Sequence, residues 1–223
     1  MQIIGVIVAM ILGIIGGNGA VYAFNHIPAQ WLCDYGEVPK EDKLQRQRIN
    51  SRPWKALFSV LMVAGGVKLA ADDFLFAMPV MAAMWLLIII SIADAKYMII
   101  PDQAVIALAV CSVGFVNYHS NPLDMLYGVL CGGGVMLLMA LLGRLISGKE
   151  AMGFGDVKLF ACLGLALGLT GTVVVLIGAS LLSGIGAAIA MASGRAKKDD
   201  AKPLGPYICG MGIFYIFIVW PFL

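Results

Sequence analysis

Two aspartates differ from the other acidic residues because each lies at the edge of a long apolar run. Asp94 follows the run MWLLIIISIA, and Asp156 follows Gly153-Phe154-Gly155 and precedes a second run. A carboxylate at a membrane boundary is costly, so it indicates a partner or a function. Two carboxylates that share a site cannot both ionise easily, and the pair then holds one proton.

Such a pair can hydrolyse a peptide bond. The ionised aspartate takes a proton from an attacking water, while the protonated aspartate hydrogen-bonds the scissile carbonyl and later supports departure of the amine. Gly153 and Gly155 are predicted to allow unusual backbone angles beside Asp156 and a close approach of the substrate. The alternative is that Asp156 only caps a helix and that the glycines only shape the turn.

Four other acids have structural interpretations. Asp72 and Asp73 are predicted in a tight turn between two apolar runs. Asp124 follows Asn121-Pro122 and Asp102 follows Pro101, so both are predicted at helix N-caps, where a carboxylate accepts hydrogen bonds from free backbone N–H groups.

Histidines and cysteines offer no competing site. His26 and His119 are predicted at opposite membrane faces, so they cannot combine into a metal site or activate a nucleophile. The net charge of +2 gives no reason to expect nucleic acid as a partner, and neither metal nor cofactor is predicted for hydrolysis. Five widely spaced cysteines form no CxxC pair, which predicts neither a disulfide framework nor a zinc knuckle: Cys33, Cys111, Cys131, Cys162 and Cys209.

The composition indicates that the elements carrying these residues lie in a bilayer. Of 223 residues, 61% are hydrophobic and 13% are charged, where a soluble domain has roughly a quarter charged residues. The apolar residues fall in long runs, and only helices satisfy lipid-exposed backbone at these lengths. We predict an all-α, polytopic membrane bundle that forms a single domain over residues 1–223. Its eight apolar segments are about 3–24, 54–71, 74–93, 103–118, 123–143, 157–169, 171–193 and 206–222.

The basic residues predict the orientation of these segments. All of the 15 lysines and arginines except Lys68 fall after segments 1, 3, 5 and 7 or at adjoining helix ends. Short loops rich in Lys and Arg mark the cytoplasmic side, so both termini are predicted outside and Asp94 and Asp156 at the cytoplasmic face. The first segment lacks a preceding basic region and a processing site, so it is predicted to be a retained span.

Two further patterns concern packing and the one sizeable polar loop. Gly128 with Gly132 and Gly164 with Gly168 have the small-xxx-small spacing of close helix contacts, which also agrees with simple tolerance of glycine in membrane helices. The polar stretch at about 25–55 is interpreted as a solvated cytoplasmic loop, with substrate docking or lipid contact as the alternative.

Two stretches of the sequence resemble a known family. SIADAKYMIIPDQ (91–103) and KEAMGFGDVKLFACLGLALG (149–168) are similar to the two signature regions of type IV prepilin peptidases, which are GxGD-type membrane aspartic proteases. Further similarity lies at 16–28 and at 203–207, where a Gly-Pro pair begins the last apolar segment. The combination of both motifs with eight predicted spans is far more specific than a GxGD sequence alone.

The resemblance implies roles for individual residues. Asp94 and Asp156 correspond to the catalytic pair, and Gly153 and Gly155 support the catalytic loop. Three charged residues match family positions and are candidate substrate contacts, with membrane anchoring and positive-inside charge as the alternative: Lys96, Glu150 and Lys158.

The resemblance also implies a substrate and a location. The substrate is a prepilin or pseudopilin with a basic leader and an apolar stem, cleaved between them, typically after glycine, at the cytoplasmic face of the bacterial inner membrane. The acidic residues of the polar loop, Asp34 and Glu37 among them, are candidates to attract the basic leader. Many family members also bind zinc through two CxxC pairs in this loop and N-methylate the product with S-adenosylmethionine. Here the loop holds only Cys33, so no zinc site is predicted, and methylation remains an open second activity.

Other functions remain open at this point. A small proton- or cation-coupled transporter also uses membrane carboxylates, although such groups usually lie near the bilayer midplane between internal repeats. A third alternative is a related protease that acts on preflagellins or remnant signal sequences.

Overall fold

A computed structural model describes residues 2–34, 36–148, 152–194 and 202–220. Every regular element in these ranges is helical, which confirms the predicted all-α class. The helices are α1 (Gln2–His26), α2 (Glu41–Leu44), α3 (Trp54–Asp72), α4 (Phe74–Tyr97), α5 (Asp102–Ser112), α6 (Leu123–Ser147), α7 (Phe154–Ala192) and α8 (Gly205–Phe214). Short 3₁₀ turns lie at Ala29–Leu32 and, continuing α5, at Val113–Tyr118; a π-helical turn at Tyr215–Val219 continues α8.

The helix α7 consists of two arms joined at Gly168. The φ of 69° and ψ of −173° at this residue are not helical, and glycine adopts a positive φ without the steric cost that other residues meet. Gly132 of α6 faces both Phe160 and Thr172, one on each arm. A continuous helix would separate these two residues by about 18 Å along its axis, so the arms fold back on each other. The break agrees with the predicted division between segments 157–169 and 171–193.

Several helices have the length and composition of membrane spans. In the described ranges α1, α3, α4, α6 and α7 are long and apolar enough to cross a bilayer. The helix α5 with its 3₁₀ continuation and α8 with its π-helical continuation are shorter and also apolar. With α7 divided at Gly168, the eight predicted segments correspond to helices, and the chain is a multi-pass membrane protein.

The helices pack around α4. It contacts α1, α3, α5 and α8, while α1 pairs with α3 and α6 pairs with α7. Small residues produce the α6–α7 contact, because a Cβ on Gly128 would collide with backbone atoms of Gly164 and Gly168. The predicted small-xxx-small spacing therefore marks a true helix contact.

Most side chains of the loop between α1 and α3 are exposed, as expected of a solvated loop, but the loop is anchored to the bundle at Arg48. Arg48 is only 7% exposed. Its guanidinium donates to the carbonyl oxygens of Phe24 at 2.9 Å and Ile27 at 2.6 Å at the end of α1, and to that of Lys43 at 2.9 Å. These carbonyls would otherwise lack partners, because the last turn of a helix has no following N–H groups. Arg48 thereby holds the loop against the bundle.

Candidate active site

Asp94 lies in the last turn of α4, which extends beyond the predicted segment end at residue 93. Its side chain is 6% exposed, and its Oδ2 accepts a hydrogen bond of 2.7 Å from the backbone N–H of Gly205. Gly205 begins α8, so this N–H is one of the helix-terminal donors that have no partner within their own helix. The start of α8 thus orients the Asp94 carboxylate.

Asp156 lies in the first turn of α7. The N-cap of this helix is Gly153, with no side-chain capping bond, and Asp156 does not act as a cap. Its Oδ1 is buried and has no hydrogen-bond partner in the part of the chain that the structure describes. The alternative interpretation of Asp156 as a helix cap is therefore wrong.

One cavity joins the two aspartates. Its volume is about 840 Å³, and both Asp94 and Asp156 line it. The helix ends that the topology predicted at one face therefore meet in space.

The glycines near the pair act through close packing. Gly153 has an ordinary φ of −68°, and Gly155 lies within a helix, so the unusual backbone angles predicted for them are not observed. A Cβ on Gly155 would lie 3.1 Å from the Cβ of Ile100. A Cβ on Gly205 would lie 2.8 to 2.9 Å from atoms of Asp94. The sequence analysis did not assign Gly205 to the site. The Gly-Pro pair at the start of α8 was the sequence feature that could have indicated it.

The three charged candidates have different surroundings. Lys158 lines the cavity and donates to both carboxylate oxygens of Asp102, at 2.8 and 3.0 Å. Lys96 does not line it; its Nζ donates to the carbonyl of Arg48 and lies 5.5 Å from the ring centroid of Tyr97. Glu150 lies outside the described residues.

The structure also locates the four acids that were given structural interpretations. Asp72 ends α3, and Asp73 lies in the predicted turn between α3 and α4. Asp73 also caps α4, with its Oδ1 accepting from the backbone N–H of Leu75 at 2.8 Å. Asp102 lies one residue after the N-cap position that was predicted for it, since Pro101 is the N-cap of α5, and its carboxylate pairs with Lys158 across α5 and α7. Asp124 does not cap its own helix; its Oδ1 accepts from Leu169 N–H at 3.2 Å, at the start of the second arm of α7.

The two histidines lie apart. His119 lies near the Gly168 break, where its Nε2 is 3.0 Å from the carbonyl oxygen of Ala166. His26 lies at the end of α1, with its ring stacked on Tyr22 at 4.0 Å. No group of three or more histidine, cysteine or acidic side chains able to hold a metal occurs in the described ranges.

Part of the cavity wall comes from the loop between α1 and α3. Trp31, Cys33, Asp34 and Glu37 line it. Because Asp102 is neutralised by Lys158, the acidic side chains of the wall and of the aspartate pair give the cavity an excess of negative charge. Such a cavity favours a cationic ligand.

Comparison with known proteins agrees with this geometry. Residues 81–189 match the sequence model of the type IV leader peptidase family. The chain is 30% identical over 140 residues to a prepilin leader peptidase/N-methyltransferase of Pseudomonas aeruginosa, covering 61% of this chain and 47% of that protein. A protein of the same description from Aeromonas hydrophila is 31% identical over 145 residues, with coverage of 61% and 47%.

A more distant relative extends the match. A prepilin leader peptidase/N-methyltransferase of Bacillus subtilis is 28% identical over 159 residues, covering 69% of this chain and 60% of that protein. The chain spans about half the length of the first curated relatives it matches. No solved structure matches significantly. The family match includes both aspartates and the glycines around Asp156, and it confirms the resemblance on which the two motifs were interpreted: residues 81–189 are similar to the type IV leader peptidase family.

Proposed function

We propose that this protein is a membrane aspartic endopeptidase that removes the leader peptide of a prepilin or pseudopilin. The observation that carries the proposal is the shared cavity of Asp94 and Asp156, in which a buried oxygen of Asp156 has no partner among the residues that the structure describes. An unsatisfied buried acceptor is rare in native proteins and suits a site that water or substrate completes.

Each residue of the site has a role in the proposed reaction. One aspartate is ionised and takes a proton from the attacking water, and the other is protonated and donates to the scissile carbonyl. The amine then leaves as it receives a proton from the pair. The Gly205 N–H fixes the orientation of Asp94, and the Lys158–Asp102 pair ties the start of α7 to the start of α5 beside Asp156.

The charge of the cavity supports a substrate with a basic leader. Asp34 and Glu37 lie on the cavity wall, where they attract lysine and arginine side chains. In the proposed orientation the leader lies in the cytoplasm and the apolar stem in the bilayer, so the cleaved bond arrives at the boundary where the aspartates lie. The bias of basic residues toward this end supports a site at the cytoplasmic face of a bacterial inner membrane, with both termini outside.

The transporter alternative predicts a different placement of the acids. Coupled transporters hold such carboxylates near the bilayer midplane, whereas Asp94 lies in the last turn of α4 and Asp156 in the first turn of α7. Both acids are therefore at helix ends, which favours hydrolysis of a peptide at the membrane boundary.

The test is co-expression with a candidate prepilin that has a basic leader. We expect wild-type protein to shorten the prepilin, and Asp94→Asn and Asp156→Asn each to abolish shortening while the variants still accumulate in the membrane. Complete cleavage by both variants would exclude the aspartate mechanism. Proton flux in proteoliposomes without any cleavage would instead support the transporter.

N-methylation is a second candidate activity, because the names of the relatives include it. Its methyl donor, S-adenosylmethionine, carries a positive sulfonium, and the acidic wall with Asp34 and Glu37 suits such a cation. No step of the hydrolysis depends on this donor. Mass spectrometry of the mature N-terminus tests the activity, because a methylated product is 14 Da heavier per methyl group.

A further inference from the structure

A two-residue segment outside the helices lies along the cavity between the catalytic candidates. It consists of Ile99 and Ile100, which line the cavity together with Asp94 and Asp156. Met98 ends α4 in the left-handed region, with φ 53° and ψ 38°. Pro101 is extended, with φ −65° and ψ 122°, and the residue before a proline is restricted to extended conformations.

The hydrogen bonds of the described residues stop on either side of Ile99 and Ile100. Met98 N–H still donates to the carbonyl of Asp94, and the carbonyl of Pro101 accepts from Ala104 and Val105. No hydrogen bond from the described part of the chain reaches the N–H or C=O groups of Ile99 and Ile100. Backbone groups are normally paired, so these donors and acceptors beside the aspartates, which have no partner among the described residues, are candidates to bind a ligand.

The surroundings leave one side of the segment open. The Ile100 side chain packs on Gly155, where a Cβ would approach it to 3.1 Å, so this contact fixes the segment against the start of α7. A Cβ on the nearby Gly153 would have one described atom within 4 Å, the Oδ2 of Asp156 at 3.8 Å. Because Gly153 and Gly155 have no side chains, they do not obstruct a substrate backbone that approaches the segment.

We propose that Ile99 and Ile100 form a strand edge that binds the cleavage junction of the substrate in extended form, by backbone hydrogen bonds. The occupant is the peptide around the scissile bond, because the edge lies in the same cavity as the aspartates. Addition of a peptide strand to a free edge gives affinity that does not depend on side chains. It also holds the scissile carbonyl at a fixed distance from the pair. This inference rests on the proposed peptidase function.

The test uses a synthetic peptide with a lysine-rich leader that ends in glycine, followed by an apolar stem, and purified wild-type protein in detergent. Single backbone amides near the junction, other than the scissile amide, are N-methylated or replaced by esters. Strand pairing predicts that sensitive and insensitive amides alternate along the peptide, since successive N–H groups point to opposite sides of a strand. We expect about a tenfold or greater loss of kcat/KM at a sensitive position, the effect of one lost hydrogen bond at the upper end of its range, and little change at its neighbours.

A pair of variants links the alternation to this segment. Ile100→Pro keeps an extended backbone but removes the N–H and places a ring on the edge; Ile100→Val keeps the N–H and most of the side chain. We expect kcat/KM for the unmodified peptide to be about tenfold lower for the proline variant than for the valine variant.

The outcomes separate this inference from the function on which it rests. Absence of cleavage of the unmodified peptide by wild-type protein contradicts the peptidase itself. Cleavage with a flat response to N-methylation and ester replacement overturns strand pairing and leaves the peptidase intact. If sensitive and insensitive amides alternate but the two Ile100 variants have equal kcat/KM, the substrate pairs with another segment and not with Ile99 and Ile100.

Discussion

The two ends of the bundle each hold an aspartate beside a cavity, but the two aspartates are bonded differently. At the far end, a cavity of about 420 Å³ is lined by Asp124 and His119. Asp124 accepts from Leu169 N–H at 3.2 Å, and its Oδ2 lies 3.5 Å from His119 Nδ1. At the other end, Asp156 has a buried oxygen that no group in the described ranges contacts by a hydrogen bond.

This difference separates a structural acid from a catalytic candidate. Asp124 supplies an acceptor to the second arm of α7, whose first N–H groups have no partner within the helix. Asp156 supplies nothing comparable, and leaving its oxygen unpaired costs about 1–3 kcal/mol. A carboxylate that serves the fold has its bonds made within the chain, whereas one that serves a reaction keeps an oxygen for water or substrate.

The largest expected effect is the difference in cleavage rate between a variant of Asp156 and a variant of Asp124. Asp156→Asn is expected to lower kcat by about a thousandfold or more, in the range of lost acid–base catalysis. Asp124→Ala is expected to leave cleavage per folded molecule within about threefold, but to lower the free energy of unfolding by about 1 kcal/mol through loss of a cap. Cleavage assays and thermal unfolding in detergent measure the two effects. Equal losses of activity would remove the distinction between the ends.

The second effect concerns the orientation of Asp94. Gly205→Ala places a Cβ 2.8 Å from Asp94 Oδ2, and a displacement of about 1 Å at a catalytic group costs about a hundredfold in rate. Gly210→Ala in the same helix is the matched control, since its Cβ would meet no atom within 4 Å. We expect kcat to fall about a hundredfold in the first variant and to be unchanged in the second. Similar rates for both would show that Asp94 does not depend on α8.

The third effect is on stability at the far end. Gly168→Ala introduces a side chain where φ is 69° and where its Cβ would lie 2.9 Å from Asp124 Cγ. We expect the free energy of unfolding to fall by about 2–4 kcal/mol from strain and overpacking. Gly134→Ala, whose Cβ meets nothing within 4 Å, provides the comparison. An unchanged melting temperature for Gly168→Ala would contradict the observed break in α7.

The smallest effect distinguishes the two lysines of the motifs. Lys158→Gln breaks the pair with Asp102 beside Asp156 and is expected to lower kcat/KM by about tenfold, as a partly exposed ion pair near the site allows. Lys96→Gln affects a loop contact outside the cavity and is expected to change kcat/KM by less than about threefold. The reverse order in a cleavage assay would favour Lys96 as the substrate contact.

Local patterns in the sequence predicted the elements well. Long apolar runs predicted the helices, including two segments where α7 is divided near Gly168. The glycine spacings left a helix contact open, and the structure shows it between α6 and α7. The end of α4 was placed too early, at residue 93, because its last turn is polar. That turn carries Asp94, so its helical structure could not be inferred from hydropathy alone.

The contacts that complete the site were harder to predict, since they join distant parts of the chain. The motifs identified Asp94 and Asp156. The bond from Gly205 to Asp94 spans 111 residues, and no local pattern encodes such a distance. The same holds for Asp102, which was interpreted from its neighbour Pro101 but pairs with Lys158. Arg48 was counted only as a positive charge, whereas its burial depends on the free carbonyls at the end of α1.

The bond between Gly205 and Asp94 has a consequence for biogenesis. Residues 81–189, which match the family, contain both aspartates but end before Gly205. A nascent chain that has inserted its first seven helical segments therefore carries the two acids without the donor that orients Asp94. Because Gly205 follows both aspartates in the chain, we expect a translation product that stops between residue 189 and Gly205 to insert into the membrane but not to cleave a prepilin.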